Sequence, residues 1–260
     1  MDYIAVALFA ILGAVIGSFL NVCIDRLPVG QSLRRPPSHC PACQRRLGFW
    51  DLIPVVSYLW LRGRCRYCSA AIPRRILIVE VGTGLLFAFL WWRYGFDLQL
   101  LFFIFFGCLF IVLFFIDLEH GLILNKVVYP AAIVTLCIAP FRPDLGTANS
   151  LIGIGIIDSL VGGGIAFGLF LLVALVSRGG MGWGDVKMAG LVGLATGFPL
   201  VLIALFISVV TGALVSVVLL FSRLKRRKDP IPFGPFLSLG AMATLFWGDA
   251  IYAWCRQILL

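Results

Sequence analysis

The chain is 260 residues long, 61% hydrophobic and only 13% charged. Soluble domains run at about 45–50% apolar and about 25% charged, so the composition excludes an ordinary water-soluble globule and points to a polytopic membrane protein. A net charge of +9 would suit a nucleic-acid binder, but every Lys and Arg except Arg93, Arg142 and Arg256 falls on one side of the spans given below, which is the positive-inside pattern.

Apolar blocks long enough to cross a bilayer recur along the chain. Eight spans are predicted, at roughly 3–24, 74–94, 98–117, 122–140, 151–176, 184–197, 199–222 and 234–256. The sixth is short, and only the Gly197-Phe198-Pro199 turn parts it from the seventh; merging the two would give seven. The first span is expected to be a retained anchor, because Met1-Asp2-Tyr3 supplies no basic start and no small-residue cleavage site follows. The charge asymmetry then places both termini outside and the first loop in the cytoplasm. The basic residues serve mainly as an orientation signal and secondarily as contacts for anionic membrane lipids. The predicted fold is an all-α polytopic membrane protein of about eight transmembrane helices. It divides into transmembrane helix 1 (1–24), a small cytoplasmic zinc-ribbon-like loop domain (25–73) and a transmembrane domain holding helices 2–8 (74–260).

Span one carries Gly13-x-x-x-Gly17, a face on which a neighbouring helix packs closely. Ser18, Asn21 and Arg26 follow at its inner edge, either to meet headgroups or to serve a site. The loop then presents Cys40-Pro41-Ala42-Cys43 and Cys65-Arg66-Tyr67-Cys68, with 21 residues between the pairs. Two cysteines spaced in this way grip one metal from a tight turn, and two such knuckles close a tetrahedral sulfur site. A loop of this size cannot bury a core sufficient to fold alone, so a metal staple has a physical purpose. The reducing cytoplasm disfavours disulfides. The expected ion is a structural Zn2+, because four thiolates leave no open position for water. His39 adjoins the first knuckle but finds the site already closed. Residues 50–59 are apolar enough to pack on the zinc unit or to lie on the bilayer. Glu80, just inside span two, is either functional or paired with Arg75 or another basic neighbour. Asp158 and Asp249 lie toward the outer side and read as structural.

The stretch 179–187, Gly-Gly-Met-Gly-Trp-Gly-Asp-Val-Lys, sets a carboxylate, Asp185, in a glycine-rich joint between apolar runs. Counting spans puts Asp117 at the cytoplasmic end of the third and Asp185 at the cytoplasmic start of the sixth. Two acids thus reach one depth of one membrane face. Close carboxylates cannot both ionise cheaply, so one keeps a proton. The charged one takes a proton from water and the protonated one donates to a scissile carbonyl, as in aspartic proteases. Helix dipoles favour negative charge at Asp185 and disfavour it at Asp117, and Lys187 would add to the first effect. The expectation is Asp185 as base and Asp117 as donor. Gly182 and Gly184 would clear the approach of an extended peptide and permit positive φ. Taken alone, the loop is equally an ordinary flexible joint with a capping Asp.

Gly182-Trp183-Gly184-Asp185 resembles the Gly-x-Gly-Asp signature of intramembrane aspartic proteases. Bacterial type IV prepilin peptidases are similar in further stretches. These are Gly17-Ser18-Phe19-Leu20-Asn21-Val22 with Arg26-Leu27-Pro28, both cysteine pairs, Ile53-Pro54 with Ser57-Tyr58-Leu59, and Pro73 with Glu80. Asp117-Leu118-Glu119-His120 and Ile231-Pro232-Phe233-Gly234-Pro235-Phe236 complete the series. The resemblance implies an eight-span endopeptidase of the bacterial inner membrane that removes the basic leader of type IV prepilins and pseudopilins. Its catalytic pair would be Asp117 and Asp185, and its metal ligands Cys40, Cys43, Cys65 and Cys68. It also implies methylation of the new amino terminus with S-adenosylmethionine. Leader contacts would come from headgroups or acids such as Glu80 and Glu119, since the basic loop repels a basic leader. One departure is clear: the family's Ile-Pro-Asp is here Ile123-Leu124-Asn125. The rival readings are a proton- or cation-coupled transporter using the paired aspartates, which places them mid-bilayer, and a zinc-stapled scaffold without catalysis.

Overall fold

The computed structural model describes residues 3–141, 152–177, 181–222 and 231–259. Met1, Asp2, Arg142, Arg178, Gly179, Gly180 and the basic residues Arg223, Lys225, Arg226, Arg227 and Lys228 lie outside the described residues. The nine α-helices among the described residues are α1 (Tyr3–Arg26), α2 (Val56–Trp60), α3 (Arg74–Tyr94), α4 (Leu98–His120), α5 (Asn125–Ile138), α6 (Ile152–Val176), α7 (Trp183–Thr196), α8 (Leu200–Phe221) and α9 (Gly234–Leu259). Each predicted span has its helix, and α2 is an additional short helix inside the loop. The only β-pairing among the described residues is two isolated bridges, His39 with Arg46 and Arg64 with Ala71, so the all-α expectation holds.

Six of these helices, α1, α3, α4, α6, α8 and α9, are long and apolar enough to cross a membrane. The protein is a multi-pass membrane protein. α5 and α7 have 14 residues each, about 21 Å of helix, against a hydrocarbon core of about 30 Å. The Gly197-Phe198-Pro199 turn does separate α7 from α8, because Gly197 closes α7 at φ 65°, where a residue without Cβ is at ease.

The described chain forms two compact units, 1–112 and 113–260. In the first, α1 lies against α3. The contact is closest at the small residues singled out in the sequence. A Cβ on Gly13 would stand 2.6 Å from the Thr83 carbonyl oxygen, and one on Gly17 would stand 2.9 Å from the Glu80 Cα. Backbones this near gain dispersion contacts that larger residues would forbid. Asn21 binds the same pair of helices, its Nδ2 donating to the Ile76 carbonyl at 3.1 Å. The bland expectation that Asn21 meets headgroups therefore fails: it is 5% exposed and ties α1 to α3. Arg26 is also drawn inward, donating to the Ser32 carbonyl at 2.9 Å.

In the second unit α7 is the inner element, touching α5, α6, α8 and α9. Val186, Met188, Ala189, Leu191 and Val192 are all buried. A helix apolar on all sides belongs inside a bundle, and that explains how so short a segment needs no lipid-facing length. Against α6 it packs through glycine, since a Cβ on Gly162 would stand 2.6 Å from the Gly193 carbonyl oxygen.

Gly17→Leu is expected to destabilise the α1–α3 pair by about 1–3 kcal/mol through overpacking. The two nearest atoms it meets, the Glu80 Cα and the Val79 carbonyl oxygen, are backbone atoms of α3 that cannot step aside. A thermal melt of purified protein in detergent checks this, with Gly82→Leu, where a Cβ meets nothing within 4 Å, as the neutral control.

Candidate active site and metal centre

Asp117 lies in the last turn of α4 and is 4% exposed. A buried carboxylate at the end of its own helix is poorly placed with respect to that helix's dipole. The structure corrects the placement from elsewhere: the Gly234 N–H donates to Asp117 Oδ2 at 2.8 Å, and Gly234 is the first residue of α9. Asp117 therefore caps the positive end of a second helix. Position 234 has no room for a side chain, since a Cβ there would fall 2.6 Å from Asp117 Oδ2.

Asp185 occupies the first turn of α7, with Gly182 as N-cap. The Gly182 N–H donates to its carboxylate, and the Asp117 charge acts on it directly. The two acids named from the sequence are thus brought together, each at the N-terminus of a helix and each holding one backbone N–H. The helix-end argument for Asp185 as base and Asp117 as donor loses its asymmetry here, because α9 supplies to Asp117 what α7 supplies to Asp185.

The surrounding glycines act differently from the expectation. Gly182 has φ −72° and ψ 140°, ordinary extended backbone, so no positive φ is used. Gly184 makes room for the chain itself: a Cβ there would stand 2.9 Å from the Ile123 Cβ. The turn after α4 (Gly121 at φ 62°) thereby rests on the start of α7. Lys187 does not turn to Asp185. Its Nζ donates to Asn125 Oδ1 at 3.0 Å and stands 5.5 Å from the Tyr129 ring centroid, within cation–π range. This accounts for much of the Ile123-Leu124-Asn125 departure. Leu124 holds φ −78°, within the range a proline would impose. Asn125 retains a hydrogen-bond acceptor for Lys187 without the negative charge.

In the first unit the four cysteines of the loop meet. Their sulfurs all lie within 4.8 Å of one another, and Cys40 Sγ is 3.8 Å from Cys68 Sγ. A tetrahedral site with metal–sulfur bonds of about 2.3 Å has sulfur–sulfur edges of about 3.8 Å, so the set fits a single metal ion. The two knuckles are one structure used twice. Cys40 N–H donates to Arg45 O and Gln44 N–H to Cys40 O; Cys65 N–H donates to Ala70 O and Ser69 N–H to Cys65 O. Gln44 and Ser69 both take positive φ, 57° and 58°, and the bridges 39–46 and 64–71 flank them in the same register. The Cys43 N–H, with help from the Ala42 N–H and the neighbouring thiols, pulls Cys40 down to about 6 against the effect of burial. At Cys68 the Ala70 N–H pulls the other way, but desolvation and the neighbouring thiols prevail and push it up to about 12. His39 lies outside the cluster and faces the Pro37 carbonyl at 3.1 Å.

Glu80, left open between function and an arginine partner, takes neither basic neighbour. Its Oε2 accepts the Val55 N–H at 2.7 Å and the Ser18 hydroxyl also donates to it, while Arg75 pairs with Asp25. The sequence signals for this tie were present separately, in the Ser18–Asn21 run, the Ile53-Pro54 turn and the buried acid. Nothing in their spacing links them.

Two acids at helix ends, in a multi-pass helical protein, make up the candidate site. Residues 11–94 match the bacterial peptidase A24 N-terminal domain, and residues 103–217 match the type IV leader peptidase family. The chain is 32% identical to the prepilin leader peptidase/N-methyltransferase of Stutzerimonas stutzeri, over 94% of this chain and 91% of that protein. It is 31% identical to the protein of the same name from Pseudomonas aeruginosa, over 96% and 95%, and 30% identical to that of Bacillus subtilis, over 96% and 97%. No solved structure matches the chain significantly. The chain belongs to the type IV leader peptidase family, and its apolar helices and bacterial relatives make it a multi-pass inner-membrane protein. The transporter alternative finds no support in these likenesses.

Two outcomes are expected. Gly234→Ala should push the Asp117 carboxylate out of place and, if that acid takes part in the chemistry, cut peptidase turnover by about 100-fold, in a cleavage assay on protein of unchanged metal content. Metal bound at the cysteines should be released as the pH is lowered from neutral into the acid range, because protons compete with the ion for the thiolates. Elemental analysis after dialysis across that range checks it.

Proposed function

We propose that this chain is an endopeptidase that removes the basic leader from type IV prepilins or pseudopilins at the cytoplasmic face of the inner membrane, with Asp117 and Asp185 as the catalytic pair. The supporting observation is the juxtaposition itself: two acids 68 positions apart (185 − 117) in the chain, each at a helix end, within reach of one another's charge. One carboxyl carries the shared proton and the other is ionised. The ionised member draws a proton from an attacking water while the other protonates the peptide carbonyl oxygen. Collapse of the tetrahedral species returns a proton to the departing amine. The N–H groups of Gly234 and Gly182 hold the two carboxylates in fixed orientation, so little reorganisation is needed at the moment of reaction. Gly182, Gly184 and Lys187 act as a supporting loop, setting the turn at 121–124 and the α5 start against α7.

The functional division follows the sequence: helix 1 (1–24) as anchor, the loop (25–73) as zinc-binding domain, and 74–260 as the peptidase domain. Both termini lie outside and the loop is cytoplasmic, with anionic lipids holding the basic residues. Cys40, Cys43, Cys65 and Cys68 would hold a Zn2+ ion, which supplies a fold-stabilising cross-link and no open coordination position. S-adenosylmethionine would supply a methyl group for the new amino terminus. That second activity is carried by the relatives' names, and the described side chains single out no place for the cofactor, so no step is derived through it.

Purified protein incubated with a prepilin should release the leader, and Asp117→Asn or Asp185→Asn should each lower the rate by at least about 100-fold while metal content and thermal melt stay unchanged. Wild-type rates in either variant would remove the pair from the chemistry. Mass spectrometry of the mature product, with S-adenosylmethionine present, checks for the added methyl group.

A further inference from the structure

The loop segment 49–62 exposes more apolar surface than its surroundings account for. Phe49 is 77% exposed, Trp50 70% and Trp60 82%, and Val56 and Leu59 are open as well. Isolated exposed apolar side chains are ordinary, but a cluster marks a contact. Val56, Leu59 and Trp60 stand at i, i+3 and i+4, one face of α2, and the 3-10 turn carrying Phe49 and Trp50 (Phe49–Asp51) packs with that helix.

The depth of α2 is fixed by Glu80. Its Oε2 accepts the Val55 N–H at 2.7 Å, and Val55 immediately precedes α2. Glu80 lies six residues into α3, which begins at Arg74, so it stands about 9 Å along that helix axis. α2 is therefore held beside the first two turns of α3. Val55 keeps φ 63°, a strained value for a β-branched residue, and the bond to a buried carboxylate is the visible restraint on it. Charge completes the pattern. Arg45 is spent on the Tyr67 ring and Arg66 on Asp51, but Arg62, Arg64 and Arg74 are exposed beside the apolar face in sequence or at the α3 start. Aromatic rings with arginines at the end of a membrane helix are the composition of a bilayer interface.

We propose that residues 49–64 form an interfacial foot. It inserts Val56, Leu59 and Trp60, with Phe49 and Trp50, at the headgroup–acyl boundary of the leaflet where α3 begins, while Arg62, Arg64 and Arg74 bind anionic lipid phosphates. The inference rests on α1 and α3 crossing the bilayer and is independent of the aspartate chemistry.

Full-length protein reconstituted in phosphatidylcholine vesicles, with and without phosphatidylglycerol, and labelled with a photoactivatable lipid tests this by peptide mapping. Label is expected on residues 49–60, rising several-fold with phosphatidylglycerol. Leu59→Glu with Trp60→Glu should lose it there while label on α1 and α3, bound metal, and cleavage in detergent remain. Arg62→Gln with Arg64→Gln, which leaves the apolar face intact, should abolish only the phosphatidylglycerol increment. Labelled α1 and α3 with an unlabelled 49–60 peptide overturns the proposal, as does cross-linking of that peptide to a second copy of the chain. Label indifferent to phosphatidylglycerol overturns the arginine contacts. Unmutated protein that labels as expected yet cleaves no prepilin would count against the catalytic reading alone.

Discussion

The hydrogen bond from the Gly234 N–H to Asp117 is the constraint on which the arrangement of the second unit turns. A carboxylate buried at the C-terminal end of α4 is unfavourable twice over, through lost hydration and through the helix dipole. It is tolerable because the first N–H of α9 faces it at 2.8 Å. That bond fixes where α9 starts relative to the end of α4, and it requires glycine at position 234. With α7 packed among α5, α6, α8 and α9, the first turn of α7 brings Asp185 to the same place. The meeting of the two acids is thus a by-product of helix ends meeting, with the acids acting as caps.

This dual use has a cost in the usual sense of functional sites. Two close carboxylates cannot both be charged cheaply, and incomplete hydration raises the cost of the charge that remains. The bundle compensates with close glycine packing, as at Gly162 on α6 against the Gly193 carbonyl oxygen, and with a core of fully buried aliphatic residues on α7. Lys187 contributes no neutralising ion pair to the acids. It is engaged with Asn125 and Tyr129, so the supports for negative charge are backbone N–H groups, which do not titrate.

What the sequence revealed and what it hid divide along physical lines. Helix positions were legible because apolar run length is a local property, and the short α7 was recognisable for the same reason. The cysteine cluster was legible because each knuckle is a local turn whose spacing encodes its geometry. Asp117 and Asp185 were legible only through topology: counting membrane crossings put both at one face. The contacts that the sequence hid join residues far apart in the chain. Gly234 to Asp117, Val55 to Glu80 and Lys187 to Asn125 involve a backbone N–H or a generic polar side chain, and no periodicity marks a backbone N–H as a partner. The expected role of the glycines erred for a related reason. Gly184 looked like flexibility in sequence, yet its function is to let Ile123 lie against α7.

The two units solve the same difficulty by opposite means. In the bundle, polar groups that lipid would penalise are paired with helix N-termini. In the loop, where too few apolar residues are enclosed to make a core, four thiols converge so that one ion can do the work of a core. Glu80 joins these strategies inside the first unit. A buried carboxylate in a membrane helix would be a liability alone, yet by accepting the Val55 N–H and the Ser18 hydroxyl it fastens the loop to the α1–α3 pair. The loop is then restrained at its two chain ends and by the bond from the Val55 N–H to Glu80 between them.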